Sequence, residues 1–172
     1  MKRLDILIAG KKITKSRNVA NELIKNGGVL VNGEIVTKPA KEFSEDIKIK
    51  ILKLPKHVSR GGLKLEKALQ EFRINVKGLT VLDVGSSTGG FTDCLLQNGV
   101  KKVYAVDVGT NQFDPELQKD SRIILMEQTD IRNIETLPEK PDLAVIDVSF
   151  ISLELVLKKL ATYFPTMAKS SP

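Results

Sequence analysis

The chain has 172 residues, with 27 Lys and Arg against 21 Asp and Glu, and 41% hydrophobic residues. That length allows one ordinary domain or two small ones, and the apolar fraction is compatible with a packed core. The lone Cys94 excludes an internal disulfide and points to a reducing compartment. The single His57 argues against a Cys/His metal site, and no apolar run approaches the roughly 18 residues of a membrane span.

The charge is unevenly placed. Residues 1–77 hold 18 Lys and Arg against 8 Asp and Glu, whereas residues 78–172 hold 9 against 13. This pattern fits an arm that meets a polyanion joined to a body that does not, although a lysine-rich solvated surface has the same signature. The opening Met1–Gly10 is interrupted by Asp5 and is too short for a signal peptide, so a cytoplasmic location is expected.

Residues 1–52 read as a small α+β unit. Arg3–Ile8 starts a short helix. Thr14 or Ser16 can cap a second helix, in which Val19, Ala20, Leu23 and Ile24 share one face and Asn26-Gly27-Gly28 provides the stop. Val29–Val36 is a hairpin around Asn32-Gly33, the preferred pair for a type I′ turn, and Ile47–Ile51 is a further strand. Lys11, Lys12, Lys15, Arg17 and Lys25 cluster around the second helix. With few aromatics nearby, structured RNA read by shape fits this half better than a single-strand stacking platform.

Residues 53–59 read as a linker, since Pro55 biases Leu54 toward extended backbone. Residues 61–72 form an amphipathic helix with Leu65, Ala68, Leu69 and Phe72 on one face. In Arg60-Gly-Gly-Leu-Lys64 the glycines allow close backbone approach and Arg60 suits a phosphate, while Lys64 by itself reads as a surface lysine.

From residue 79 the chain alternates strand and helix, which implies a parallel sheet. Strands are expected at Thr80–Val84, Val103–Val108, Ile123–Glu127 and Leu143–Val148. Helices are expected at Phe91–Asn98, Pro115–Lys119 and Ser152–Tyr163, and 165–172 reads as a loop. Asp83, Asp107, Asp130 and Asp147 thus arrive at the carboxyl ends of the strands, where open α/β sheets bind ligands. Cys94, in a helix-like run, reads as a buried structural thiol.

The first strand runs into Asp83-Val-Gly-Ser-Ser-Thr-Gly-Gly90, a glycine loop opening a helix. It is neither a Walker loop nor a strict G-x-G-x-x-G, and it resembles the S-adenosylmethionine loop of Rossmann-like methyltransferases. Asp107, at the end of the second strand, suits ribose hydroxyls or a loop cap. Asp130, with Ile131 beside it, suits an adenine or a helix N-cap. Asp147 either steers a lysine or an attacking hydroxyl, or is a satisfied strand-end carboxylate.

Arg3-Leu-Asp, Ser16-Arg17, Ala20, Leu23-Ile24, Gly27 and Val31-Asn-Gly33 resemble the RNA-binding module shared by ribosomal protein S-four, pseudouridine synthases and bacterial tyrosyl-tRNA synthetases. With Ser59–Ala68, Asp83–Cys94, Tyr104–Gly109 and Ile146–Ser152, nearly the whole chain resembles the TlyA-type proteins. These are often labelled hemolysin A and are related to FtsJ-type ribosomal RNA methyltransferases.

The resemblance implies an S-four-like domain over 1–52, a linker over 53–59 and a Rossmann-like methyltransferase domain over 60–172. It implies S-adenosylmethionine as cofactor, held by Asp83, Gly85, Ser86, Ser87, Thr88, Gly89, Gly90, Asp107, Val108, Asp130 and Ile131. It further implies methylation of ribose 2′-hydroxyls in ribosomal RNA or ribosomal subunits, with RNA contacts from Arg3, Lys11, Lys12, Lys15, Ser16, Arg17, Lys25, Asn32 and Arg60. Of the family's catalytic lysine, aspartate, lysine and glutamate, Lys64 and Asp147 match the first two. The later two belong to a segment absent from this sequence, as are about three strands of the sheet. The chain is therefore expected to be C-terminally truncated and impaired in activity. Rival readings are a non-catalytic RNA-binding or ribosome-assembly factor, a pore-forming hemolysin and a nicotinamide dehydrogenase. No membrane-active element supports the second, and the missing G-x-G-x-x-G counts against the third.

Overall fold

The computed structural model describes residues 1–52, 55–149 and 151–164. The expected loop at 165–172, Phe150 of the Ile146–Ser152 segment, and Lys53 and Leu54 of the expected linker lie outside the described residues.

The first unit runs β1 (Lys2–Arg3), α1 (Leu4–Gly10), α2 (Arg17–Lys25), β2 (Val29–Val31), β3 (Glu34–Ile35), β4 (Glu42–Phe43) and β5 (Ile49–Ile51). Strands β3-β2-β5 form one antiparallel sheet, and β1 pairs with β4. That second pair, two residues per strand, leaves no alternation in the sequence to read. The helical spacing of the apolar residues puts Leu4, Ile8, Ala20, Leu23 and Ile24 against Val29, Val31 and Val36 in one core. Ser16, not Thr14, caps α2: its Oγ accepts the Val19 N–H at 3.3 Å. Asn32 (φ 51°) and Gly33 (φ 93°) make the left-handed turn expected of the pair.

The second unit runs α3 (Arg60–Glu71), β6 (Thr80–Val84), α4 (Gly90–Gln97), β7 (Lys102–Val106), β8 (Ile123–Met126), β9 (Leu143–Ile146) and α5 (Leu153–Leu160). The sheet order is β8-β7-β6-β9, all parallel, so the central β6 is buried on both faces and reads as an unbroken apolar run around Asp83. One face packs on α3 and α4 through Leu65, Leu69, Cys94 and Leu95, and the other packs on α5 through Val156 and Leu160. Phe72, expected on the buried face of α3, lies at its C-cap and is 74% exposed. The expected helix at Pro115–Lys119 is a single 3₁₀ turn at Leu117–Lys119. The segment is too short for an α-helix, and Asp114 takes the N–H groups of Glu116 and Leu117. Among the described residues no helix is long and apolar enough to cross a membrane.

The two units are bound together. Ser16 Oγ donates to the buried carboxylate of Asp114, 98 residues away, and Asn18 donates to the Gln112 carbonyl at 3.4 Å. His57, placed by the sequence in a linker, is buried against Gly62 and meets Gln97 at 3.1 Å. The Val58 N–H donates to Asp93 at 2.8 Å. These contacts fix the first turn of α3 on α4.

Asp83 lies beneath the rim and not on it. Its Oδ2 accepts the Thr92 hydroxyl at 2.6 Å, its Oδ1 has no partner among the described residues, and burial pushes its pKa up to about 7 against the opposing Thr92 hydrogen bonds. Because the unfolded carboxyl ionises near 3.8, its stabilising contribution is complete below pH 3.8. It is lost as pH rises toward and through 7, by about a few kcal/mol. Urea unfolding across this range should therefore show a fall in stability that Asp83→Asn flattens; identical pH profiles for the two proteins would contradict the assignment.

Candidate active site

The site begins with a backbone contact. Gly85 follows β6 at φ +86°, and a Cβ there would collide with the carbonyl oxygen of Asp147 beyond β9. Glycine therefore lets the two strand ends close on each other. Gly90, opening α4, is equally constrained: a Cβ there would strike Ser59 Oγ and stand 3.0 Å from the Gly62 nitrogen. That approach carries α3, and with it Lys64, to the rim.

Two adjoining cavities result. The larger, about 700 Å³, is lined by Gly85, Ser87, Asp107, Val108, Asp130, Ile131 and Asp147. The smaller, about 170 Å³, is lined by Ser59, Gly61, Gly85, Ser86, Ser87, Thr88, Gly90, Phe91 and Asp147. Gly85, Ser87 and Asp147 belong to both. Of the other expected cofactor residues, Asp83 is in the core and Gly89 lies under Phe113 and Leu117. Gly109, Gln112, Thr129 and Ser149 also line the larger cavity. Each follows a strand end by no more than six residues, the signal that would have marked them.

Asp107 takes the Ser87 and Gly109 N–H groups, both at 2.7 Å, and so staples the glycine loop to the loop after β7 while its carboxylate still faces the cavity. Asp130 caps a 3₁₀ turn through the Arg132 N–H, and the Arg132 side chain holds its pKa below the usual carboxylate range. The cavity wall is apolar at Val108, which is 71% exposed, and at the otherwise buried Ile131. In the smaller cavity the buried Ser86 Oγ has no partner among the described residues, and α4 opens there at Gly90 and Phe91.

Asp147 lines both cavities, and Lys64, 83 residues away in sequence, pairs with it. Lys64 Nζ lies 2.7 Å from Asp147 Oδ1 and 5.9 Å from the Phe91 ring centre. Both side chains are substantially exposed, so the pair adds at most about 1 kcal/mol to stability. What sets the pair apart is that its carboxylate partner lines both cavities.

The expected RNA-binding residues are spread over the first unit. Lys12, Lys15 and Lys25 are exposed, and Lys11 reaches the Glu45 carbonyl at 2.8 Å. Burial raises the Asp5 carboxyl, but hydrogen bonds from Arg3 and Arg17 outweigh this and hold its pKa low; two guanidiniums thus share one carboxylate. Asn32 uses its side-chain oxygen on the Lys48 N–H. Ser16 is buried and committed to Val19 and Asp114, so its hydroxyl does not face solvent. Arg60, exposed at the start of α3, stands 3.8 Å from Glu22. No group of three or more His, Cys, Asp or Glu among the described residues is placed to hold a metal ion.

Residues 57–169 match the FtsJ-like methyltransferase family, and residues 2–46 match the S4 domain. The chain is 46% identical over 164 residues to YqxC of Bacillus subtilis, named as an rRNA methyltransferase, covering 93% of this chain and 58% of that protein. It is 40% identical over 162 residues to the 16S/23S rRNA (cytidine-2′-O)-methyltransferase TlyA of Mycobacterium tuberculosis, covering 92% and 60%. A solved Streptococcus thermophilus structure carrying a hemolysin name superposes with a TM-score of 0.65 at 44% identity, over 93% of this chain and 60% of that one. The chain thus spans about three fifths of the length of these relatives. With an S4 domain in front of its parallel sheet, it belongs to the FtsJ-like methyltransferase family.

Proposed function

We propose that this chain carries the cofactor site and part of the catalytic site of an S-adenosylmethionine-dependent methyltransferase acting on ribose 2′-hydroxyls of ribosomal RNA. The observation that carries the reading is the Lys64–Asp147 pair, held at 2.7 Å where the two cavities meet. The residues fit the cofactor. The Asp107 carboxylate suits ribose hydroxyls, and Val108 and Ile131 offer apolar surface to a base. The orphaned Ser86 hydroxyl and the α4 N-terminus suit the carboxylate of an amino acid. Bound there, S-adenosylmethionine supplies an electrophilic sulfonium methyl group.

The protein's own part is placement. Asp147 fixes the Lys64 amine at the cavity mouth, where it meets the acceptor hydroxyl. After giving up its own proton to solvent, the neutral amine takes the hydroxyl proton as the oxygen attacks, and the ammonium so formed steadies the oxygen beside Asp147. Holding acceptor and donor in line supplies much of the rate. The exposed cations of the S4 domain give affinity through phosphates and fix the register of the RNA.

The function itself is tested with tritiated S-adenosylmethionine and ribosomal RNA: label recovered in a 2′-O-methyl nucleoside supports the reading, and label confined to a base contradicts it. By calorimetry Asp107→Ala should weaken S-adenosylmethionine binding at least about tenfold, through lost hydrogen bonds and a released Ser87 loop; unchanged affinity would remove Asp107 from the site. Lys64→Met should leave cofactor affinity within about twofold and slow methyl transfer about a hundredfold or more. Equal transfer rates would exclude Lys64 from the chemistry.

A further inference from the structure

Between α2 and the glycine loop lies a cleft of about 380 Å³ that the cofactor reading leaves unused, lined by Asn18, Asn21, Lys25, Pro39, Val58 and Thr88 among others. Thr88 also lines the small cavity that Asp147 borders, so the cleft and that cavity adjoin at the glycine loop. Its one lining carboxylate, Glu22, is answered by Lys25 at 3.7 Å and Arg60 at 3.8 Å, and Arg3 stands at its wall. The cleft is therefore cationic on balance.

Its distinguishing feature is a pair of amides. Asn18 and Asn21, three apart on α2, face the cleft together and are half-buried. Asn18 spends one N–H on the Gln112 carbonyl at 3.4 Å, and Asn21 makes no side-chain hydrogen bond among the described residues. Asn is a poor helix former, yet Asn21 sits in mid-helix and caps nothing. The cations alone would suffice for phosphate contacts. Two adjacent amides, each offering a donor beside an acceptor, match the edge of a base.

We propose that this cleft receives a nucleotide neighbouring the methylated one, that Lys25 and Arg60 hold its backbone, and that Asn18 and Asn21 read its base. The inference rests on the RNA methyltransferase reading and extends it to a specificity determinant contributed by the S4 domain.

The test is selection from a pool of RNA hairpins with fully randomised loops, using the 172-residue chain. The wild type should enrich sequences with about a tenfold preference at one or two adjacent positions. Asn18→Ala with Asn21→Ala should erase that preference at one position while overall affinity stays within about threefold. Lys25→Ala with Arg60→Ala should weaken all sequences alike and lessen the salt dependence. Asn21→Asp, which keeps the shape of the side chain but removes its donor, should change which base is preferred, an effect that misfolding cannot imitate. RNA still bound with the wild-type preference in the Asn variants would overturn the cleft proposal and leave the RNA reading standing. A wild-type chain that retains no RNA would overturn both.

Discussion

The contact between Gly85 and the Asp147 carbonyl is the constraint on which the site depends. Strands β6 and β9 are neighbours in register, but neighbouring strands do not by themselves bring the loops beyond them into van der Waals contact. The missing Cβ of Gly85 allows that approach, and the missing Cβ of Gly90 allows the matching one by Ser59 and Gly62. Asp147 arrives from one side and Lys64 from the other. Their pairing is thus a consequence of two backbone approaches, and the weak energy of an exposed ion pair merely completes it.

A second layer of order comes from carboxylates used as connectors. Asp107 ties the glycine loop to the loop after β7, Glu127 takes the N–H groups of Asn111 and Gln112, and Asp114 caps a 3₁₀ turn while accepting from Ser16 of the S4 domain. The Asp114 N–H in turn donates to the Thr88 carbonyl at 3.2 Å. A continuous set of hydrogen bonds therefore runs from the cap of α2 through Asp114 to the glycine loop. The domain that carries the basic surface and the glycine loop that lines both cavities are mechanically joined.

Much of this architecture was legible from the residues. The four parallel strands occur where apolar runs end near acidic residues, and β6 occupies the expected Thr80–Val84. The Asn32-Gly33 turn declared itself through its chemistry. What stayed hidden was long-range. Ser16 read as a helix cap and an RNA contact because nothing local indicates a partner 98 positions away. His57 read as linker because its burial depends on Gly62 and Gln97 of two different helices. The glycine loop read as one binding element, whereas its backbone turns divide it between two cavities and a packed interior. Lys64 shows the limit most clearly. Its spacing marks it only as a helix-surface lysine, family resemblance singled it out, and the fold sets it on Asp147.

The most direct test is a crystal structure of the chain with S-adenosylhomocysteine. The arrangement requires the ribose hydroxyls on Asp107, the base beside Val108 and Ile131, the amino-acid carboxylate toward Ser86 and the α4 N-terminus, and the sulfur facing the Lys64–Asp147 pair. A ligand bound with its sulfur turned away from that pair, or seated outside the two cavities, would contradict the account.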